Sequence, residues 1–292
     1  MKKTKGIILA GGRGTRLFPL SKVYSKQLIA VYDKPMIYYP FATLLSMGIR
    51  DILIIADCAA LDFYRKLFDD GSKLGVNIEY ALQEQPNGIA EAFIIGEKFI
   101  GDSNVALILG DNIFYDETSS VFTKNIKTNK KAAIFAIYVD EPERYGVVKF
   151  DENDQPVDII EKPKTFVSNY AVPGFYIYDS SVVSIAKSLT PSDRGELEIT
   201  DINKYYLEHD ELNIVKINSG VAWLDCGTPD SLLSAGNLIA SIEKNKGIKL
   251  GCIEEAALNQ KFINVEMLKK YIDELPNCDY KKYLETHLLK IK

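Results

Sequence analysis

Lys5-Gly6-Ile7-Ile8-Leu9-Ala10-Gly11-Gly12-Arg13-Gly14-Thr15-Arg16 carries the chain from an apolar run into three glycines, a threonine and two arginines. A short apolar run bounded by glycines reads as a buried strand. The glycines at its exit leave backbone N–H groups uncovered, so that several can converge on phosphate oxygens, while Arg13 and Arg16 add positive charge. Two familiar phosphate loops are excluded: Leu17 stands where the dinucleotide fingerprint needs a third glycine, and Gly12-Arg13 stands where a P-loop needs Lys-Ser/Thr. A plain tight turn is the alternative for any Gly-Gly pair, and the added cations favour an anion grip.

Outward from this loop, short apolar runs alternate with helix-like segments, the pattern of an α/β domain with a largely parallel sheet. The spacing predicts strands over 5–10, 51–56, 77–82, 105–109 and 132–139, with helices over 36–47, 62–68 and 89–99. The second half is richer in strand-like segments, at 146–150, 157–161, 175–178, 213–217 and 221–225, which read as a mixed extension of the sheet. Thr228 and Pro229 supply an N-cap and first turn for a helix to about 245, with Leu232, Leu233, Ala235, Ile239 and Ile242 as its apolar stripe. Short helices are expected over 254–260, 265–272 with Asn264 as N-cap, and 280–291.

Composition narrows the function. The 292 residues, 47% of them hydrophobic, suffice for a large core. A net charge of -5 argues against a nucleic-acid partner, which calls for a basic field. No apolar stretch reaches the ~20 residues needed to cross a bilayer, and Met1-Lys2-Lys3 leads directly into a strand, so a cytoplasmic location is expected. The four cysteines lie far apart without a CxxC pair and read as reduced, mostly buried thiols. With only two histidines, His209 and His287, chemistry falls to carboxylates, cations and a metal.

Several residues suit that chemistry. Asp111 ends the apolar run 107–109 and Asp225 ends 221–224; two such strand-end aspartates can share one hard cation. Glu161-Lys162 joins an acceptor for sugar hydroxyls to a cation for a phosphate, although such pairs are commonly surface salt bridges. Gln83, directly after a strand, offers both amide donor and acceptor to a base edge. Lys26, upstream of 28–36, is by position alone as compatible with solvated surface as with a site.

Taken together, these motifs resemble the sugar nucleotidyltransferases over nearly the whole chain. The likeness rests on 5–17, Ser25-Lys26-Gln27-Leu28, 109–112, Glu161-Lys162-Pro163 and 222–225, and most specifically on Tyr32-Asp33-Lys34-Pro35-Met36-Ile37-Tyr38-Tyr39-Pro40 and Arg194-Gly195-Glu196-Leu197-Glu198-Ile199-Thr200-Asp201. Those two segments resemble the branch that uses dTTP and glucose 1-phosphate. The resemblance implies a three-layer Rossmann-like α/β fold with a mixed, mostly parallel central sheet, a β-rich sugar-binding part and a small helical C-terminal segment. It implies one nucleotidyltransferase domain over 1–250, with its nucleotide part at about 1–140 and its sugar part at about 141–228, and residues 251–292 packed upon it. It further implies Mg²⁺ as cofactor, dTDP-glucose and pyrophosphate as products, and a homotetramer.

Carried onto this sequence, the resemblance implies that Leu9, Gly11, Gly12, Gly14, Thr15, Arg16, Lys26, Gln27, Gln83, Pro86, Gly88 and Asp111 hold the nucleotide. Asn112, Tyr145, Gly146, Glu161, Lys162, Asn169 and Val172 would line the sugar site, Asp111 and Asp225 would bind the metal, and Arg16, Lys26 and Lys162 would be catalytic. Two positions depart from the family pattern: Ala30 stands where proline is frequent, and Pro173 follows Val172. The readings kept open beside this one are a nucleotidyltransferase for another base or sugar, and a nucleotide-sugar-binding regulator without catalysis.

Overall fold

The structure, a computed structural model, describes residues 2–12, 14–116, 122, 130–217 and 220–288; Arg13 and the end of the helix expected over 280–291 lie outside the described residues. Its strands in chain order are β1 (Thr4–Leu9), β2 (Ala30–Val31), β3 (Lys34–Pro35), β4 (Asp51–Ala56), β5 (Asn77–Leu82), β6 (Asn104–Leu109), β7 (Asn112–Asp116), β8 (Ala132–Tyr138), β9 (Gly146–Phe150), β10 (Pro156–Glu161), β11 (Tyr170–Val172), β12 (Phe175–Tyr178), β13 (Leu212–Ile217) and β14 (Val221–Asp225).

The apolar run that opens the chain becomes an inner strand, β1, between two parallel neighbours, β4 and β6, and helices bury it on both faces. Register places Ile8 beside Ile54 and Ile108, and Ile7 beside Leu53 and Leu107. The period-2 alternation sends the first set to one face and the second to the other. On the Ile8 face lie the helices Tyr38–Ser46 and Cys58–Phe68 together with the C-terminal helices; on the Ile7 face lie Glu91–Ile95, Glu97–Ile100, Val182–Ser188 and Ile199–Glu208. Three layers result. Gly6 permits the close approach of the first helix, since a Cβ there would come within 2.8 Å of Leu44 Cδ1.

The sheet is mixed. β6, β1, β4 and β5 form its parallel core, whereas β12, β8, β11, β9 and β10 continue it antiparallel and β13 adds a parallel pairing to β8. The segment 221–225 does not extend that sheet as expected. It pairs instead with β7, a segment the apolar-run pattern does not pick out, in a separate antiparallel ladder that sets Asp225 opposite Asn112.

Helix boundaries show where local signals were incomplete. Asp57 Oδ1 accepts from Ala60 N–H at 3.0 Å, so this helix starts at Cys58, not at 62. The helix expected over 89–99 is two short helices joined at Gly96, where a Cβ would lie 3.1 Å from Ile7 Cδ1. Pro35 sits in a hairpin strand, and the helix begins at Tyr38. Thr228 and Asn264 are N-caps as expected, and Ser231 completes a reciprocal capping box with Thr228. Leu233 leaves the stripe: it is 65% exposed, while Ala235 and Ile239 are buried. The helices 182–188 and 199–208 were not anticipated, and the cysteines divide evenly, Cys226 and Cys252 buried and Cys58 and Cys278 exposed. Cys252, Ile253, Ala257, Leu268 and Leu284 share one core with Ile8 and Phe41. Among the described residues, no helix is long and apolar enough to cross a membrane.

Candidate active site

Where β1 and β6 end, three cavities of about 210, 200 and 210 Å³ adjoin, and Asp111 lines all of them. The first is the glycine loop itself: Gly11, Gly12, Gly14, Thr15 and Arg16, faced by Lys26, Gln27 and Gly227. Gly12 (φ +107°) and Gly14 (φ +54°) occupy left-handed backbone that lets the chain curl around the space. Leu17, 1% exposed, anchors the following single turn Thr15–Leu17. Arg16 lies across Gly227, where a Cβ would be 2.9 Å from its Nη2 and 3.1 Å from Asp225 Oδ2. Lys26 is only 7% exposed, and its Nζ contacts Asp111 Oδ2, which removes the solvated-surface alternative.

The second cavity joins Leu9, Gly11 and Gly12 to Gln83, Pro86, Gly88, Ile89 and Leu109. Gln83, 6% exposed, lies close over Gly11: a Cβ there would meet its Oε1 at 2.7 Å. Gly88 is strictly a glycine position, with φ +109° and Leu197 O 2.3 Å from any Cβ. Backbone bonds from Leu197 N to Asn87 O (2.6 Å) and from Ala90 N to Leu197 O (3.3 Å) stitch this turn to the segment before helix 199–208.

The third cavity draws Asn112, Tyr145, Gly146, Glu161, Lys162, Val172 and Asp225 together with Arg16 and Asp111. Asn112 is fixed by Trp223 Nε1 (2.7 Å) and Gly174 N–H (2.9 Å), both donating to its Oδ1, and donates from Nδ2 to Asp111 Oδ1 at 3.0 Å. Glu161 accepts from Thr200 Oγ1 at 2.6 Å and lies 3.5 Å from Arg194. Lys162 sits in left-handed backbone (φ +43°), a conformation that costs a side-chain-bearing residue on the order of 1–3 kcal/mol; its N–H donates to Tyr145 O at 2.9 Å, which holds it there.

Electrostatics sort these groups into roles. Burial, with the Asp225 charge adding to it, pushes the Tyr145 phenol up to about 12, so it remains a donor to Asp225 Oδ2 at 3.3 Å. Burial and then Asp111 push the Cys226 thiol up to about 12, which excludes it as a thiolate nucleophile near neutral pH. Neither His209 nor His287 lines any of the three cavities.

Every site residue expected from the sequence lines one of these cavities except Asn169, whose amide donates to Val139 O at 2.9 Å and ties β11 to β8. Arg144, Arg194, Glu196, Glu198 and Trp223 also line the third cavity and received no role from the sequence. The charge density of Arg194–Glu198 was the available signal. A further cavity, about 380 Å³, lies apart, between Tyr39, Tyr115 and Cys252, and includes no glycine-loop, base-side or sugar-side residue.

A family model described as nucleotidyl transferase matches residues 5–242. The glucose-1-phosphate thymidylyltransferase of Mycolicibacterium smegmatis is 49% identical over 280 residues, 96% of this chain and 97% of its own length. That of Neisseria meningitidis is 46% identical over 284 residues, 96% and 98% of the two chains. Among solved structures, a Bacillus anthracis protein provisionally assigned the same activity and bound to sucrose superposes with TM-score 0.75 at 41% identity, over 80% of this chain and 94% of its own. A UDP-glucose pyrophosphorylase holding UDP-glucose shares the fold, with TM-score 0.73 at 23% identity.

Proposed function

From the nucleotidyl transferase family, to which this chain belongs, we propose an enzyme that transfers a thymidylyl group from dTTP to α-D-glucose 1-phosphate, releasing dTDP-glucose and pyrophosphate. The observation that supports it in the molecule is the meeting of a glycine-and-cation cavity, an amide-edged cavity and a carboxylate-and-lysine cavity at Asp111. Phosphate, base and sugar then occupy three adjoining sites that share Asp111.

In the reaction, an oxygen of the sugar phosphate bonds to the α-phosphorus of dTTP as the bond from that phosphorus to the pyrophosphate oxygen breaks. The nucleophile is already ionised near neutral pH, so no base has to remove a proton, which suits a site lined by no histidine. What the chain supplies is alignment of two mutually repelling anions. The loop N–H groups of Gly11, Gly12, Gly14 and Thr15 hold the triphosphate, Arg16 and Lys26 counter the charge gathered on departing pyrophosphate, and Lys162 holds the incoming phosphate. Gln83 and Gly88 read the thymine, and Glu161, Tyr145, Gly146, Asn112 and Val172 surround the sugar.

Asp111 and Asp225 fit Mg²⁺: both are hard oxygen donors lining one cavity, joined by the β7–β14 ladder. Two carboxylates are a small donor set for Mg²⁺, which usually binds through one or two carboxylates together with substrate phosphates. Bound there, the ion screens repulsion between the two phosphates. A homotetramer in the cytoplasm completes the reading, supported by the family resemblance. Pyrophosphate release measured across a matrix of nucleoside triphosphates and sugar 1-phosphates tests it: dTTP with glucose 1-phosphate should give the highest kcat/KM, and no release with any pair would leave a binding protein.

A further inference from the structure

Gln83 poses a problem that its position alone does not solve. A glutamine amide can turn over with little change in shape, and its two faces read opposite base edges. Thymine offers N3–H, a donor; cytosine offers the bare N3, an acceptor.

Glu91, the first residue of the helix Glu91–Ile95, stands beside this amide without lining the base cavity. Its Oε2 accepts from Gln83 Nε2 at 2.8 Å, and its Oε1 accepts from Asn87 Nδ2 at 2.8 Å. An ionised carboxylate can only accept, so the face of Gln83 turned toward it must be the NH₂. The carbonyl is thereby left on the side of Gly11, against the cavity, where Gln83 Oε1 would touch any Cβ at 2.7 Å. Glycine at position 11 makes room for that arrangement. The same carboxylate holds Asn87, next to Gly88, so both sides of the base-reading turn hang from one residue.

We propose that Glu91 is a positioning residue for base choice: it locks the Gln83 amide with its carbonyl toward the base, selecting nucleotides that present a ring N–H there and rejecting cytosine. This inference rests on the reading of Gln83 as the base reader. A misoriented partner is costly because acceptor would then face acceptor and leave the buried Gln83 carbonyl unpaired.

Glu91→Gln is nearly isosteric and can either donate or accept, which frees Gln83 to turn over. The test compares kcat/KM for dTTP and dCTP, at saturating glucose 1-phosphate, in the wild type, Glu91→Gln and Glu91→Asp. The dTTP over dCTP preference should fall about tenfold in Glu91→Gln, with KM for glucose 1-phosphate unchanged, and recover in Glu91→Asp, which is again acceptor-only. Glu91→Ala, which also frees the amide, serves as the second variant should Glu91→Gln fail to fold. An equal loss for both triphosphates in Glu91→Gln or Glu91→Ala, or an unaltered ratio, overturns the proposal. A wild type that shows no preference between dTTP and dCTP would instead overturn the base-site reading beneath it.

Discussion

Two ionic clusters in this molecule are both built around a buried lysine and carboxylates and do different work. In one, Lys34 and Lys249 each contact both Asp33 and Glu243, with Lys34 4% and Glu243 6% exposed, and Leu250 N–H adds a bond to Glu243 at 2.9 Å. Two cations meet two anions, and the cluster ties the β2–β3 hairpin to the helix Pro229–Lys246 and to residue 249. In the other, Lys26 meets Asp111 at the mouth of three cavities, with Arg16, Lys162, Arg194 and Asp225 facing the same space. The closed cluster is complete within the protein. The open one leaves cations and carboxylates directed at a volume that phosphates and a metal ion would fill. Burial with full partnership marks structure, whereas burial beside an unfilled polar cavity marks a site.

The contrast can be broken most severely at the open cluster. Arg16→Ala should lower kcat by about 10²–10³-fold, the loss typical of a donor aimed at transition-state charge, with little change in melting temperature. Asp225→Ala should lower kcat and also flatten its response to a Mg²⁺ titration; an unchanged metal response would sink the shared-ion assignment. At the closed cluster the effects should trade places. Lys34→Met keeps the length but removes the charge, and should cost about 3 kcal/mol of stability in denaturant unfolding, the low end for a broken buried pair because Lys249 still touches both carboxylates. Its KM values should stay at wild-type levels.

Smaller effects sharpen the division further. Lys162→Ala should raise the KM for glucose 1-phosphate by about tenfold while leaving that for dTTP alone, since it removes one exposed charge–phosphate contact. The closed cluster should also carry a pH signature. Burial pushes the Asp33 carboxyl up, but its bonds to Lys249 and Lys34 outweigh this and hold it below the usual carboxylate range. A depressed acid contributes stability that is complete above its unfolded value of about 3.9 and is lost as pH falls through the folded one. Burial opposes the charge of Lys249, yet Asp33 and Glu243 hold its ammonium above the ordinary lysine value, so its contribution is lost only as pH rises through that higher value. Unfolding midpoints should therefore drop on acidification below about pH 4, and Lys34→Met should show a weaker drop.

How much was legible in advance differs between the two halves. The parallel core and the glycine loop were readable because each is local: an apolar run of five or six residues closed by glycines needs no distant partner to be recognised. The β7–β14 ladder was not, since Asn112–Asp116 is half-polar and becomes a strand only because Val221–Asp225 arrives beside it. Arg194 and Glu198 belong to a segment that carries the family resemblance, yet nothing local to it gives either a site role; they line the third cavity beside a turn to which Leu197 is stitched at Asn87. Asn169 shows the reverse case: its amide suits a sugar hydroxyl, and on the folded chain its Nδ2 donates to Val139 O.

The sequence by itself determined which segments are buried and which end in glycine, because burial periodicity and backbone freedom are properties of neighbouring residues. Only the tertiary structure decided which polar groups converge: Lys26 with Asp111, Trp223 with Asn112, Gln83 with Glu91. Those pairings follow from strand register and helix docking, set by packing across the whole core, and a shift of one residue in either would point each side chain the other way.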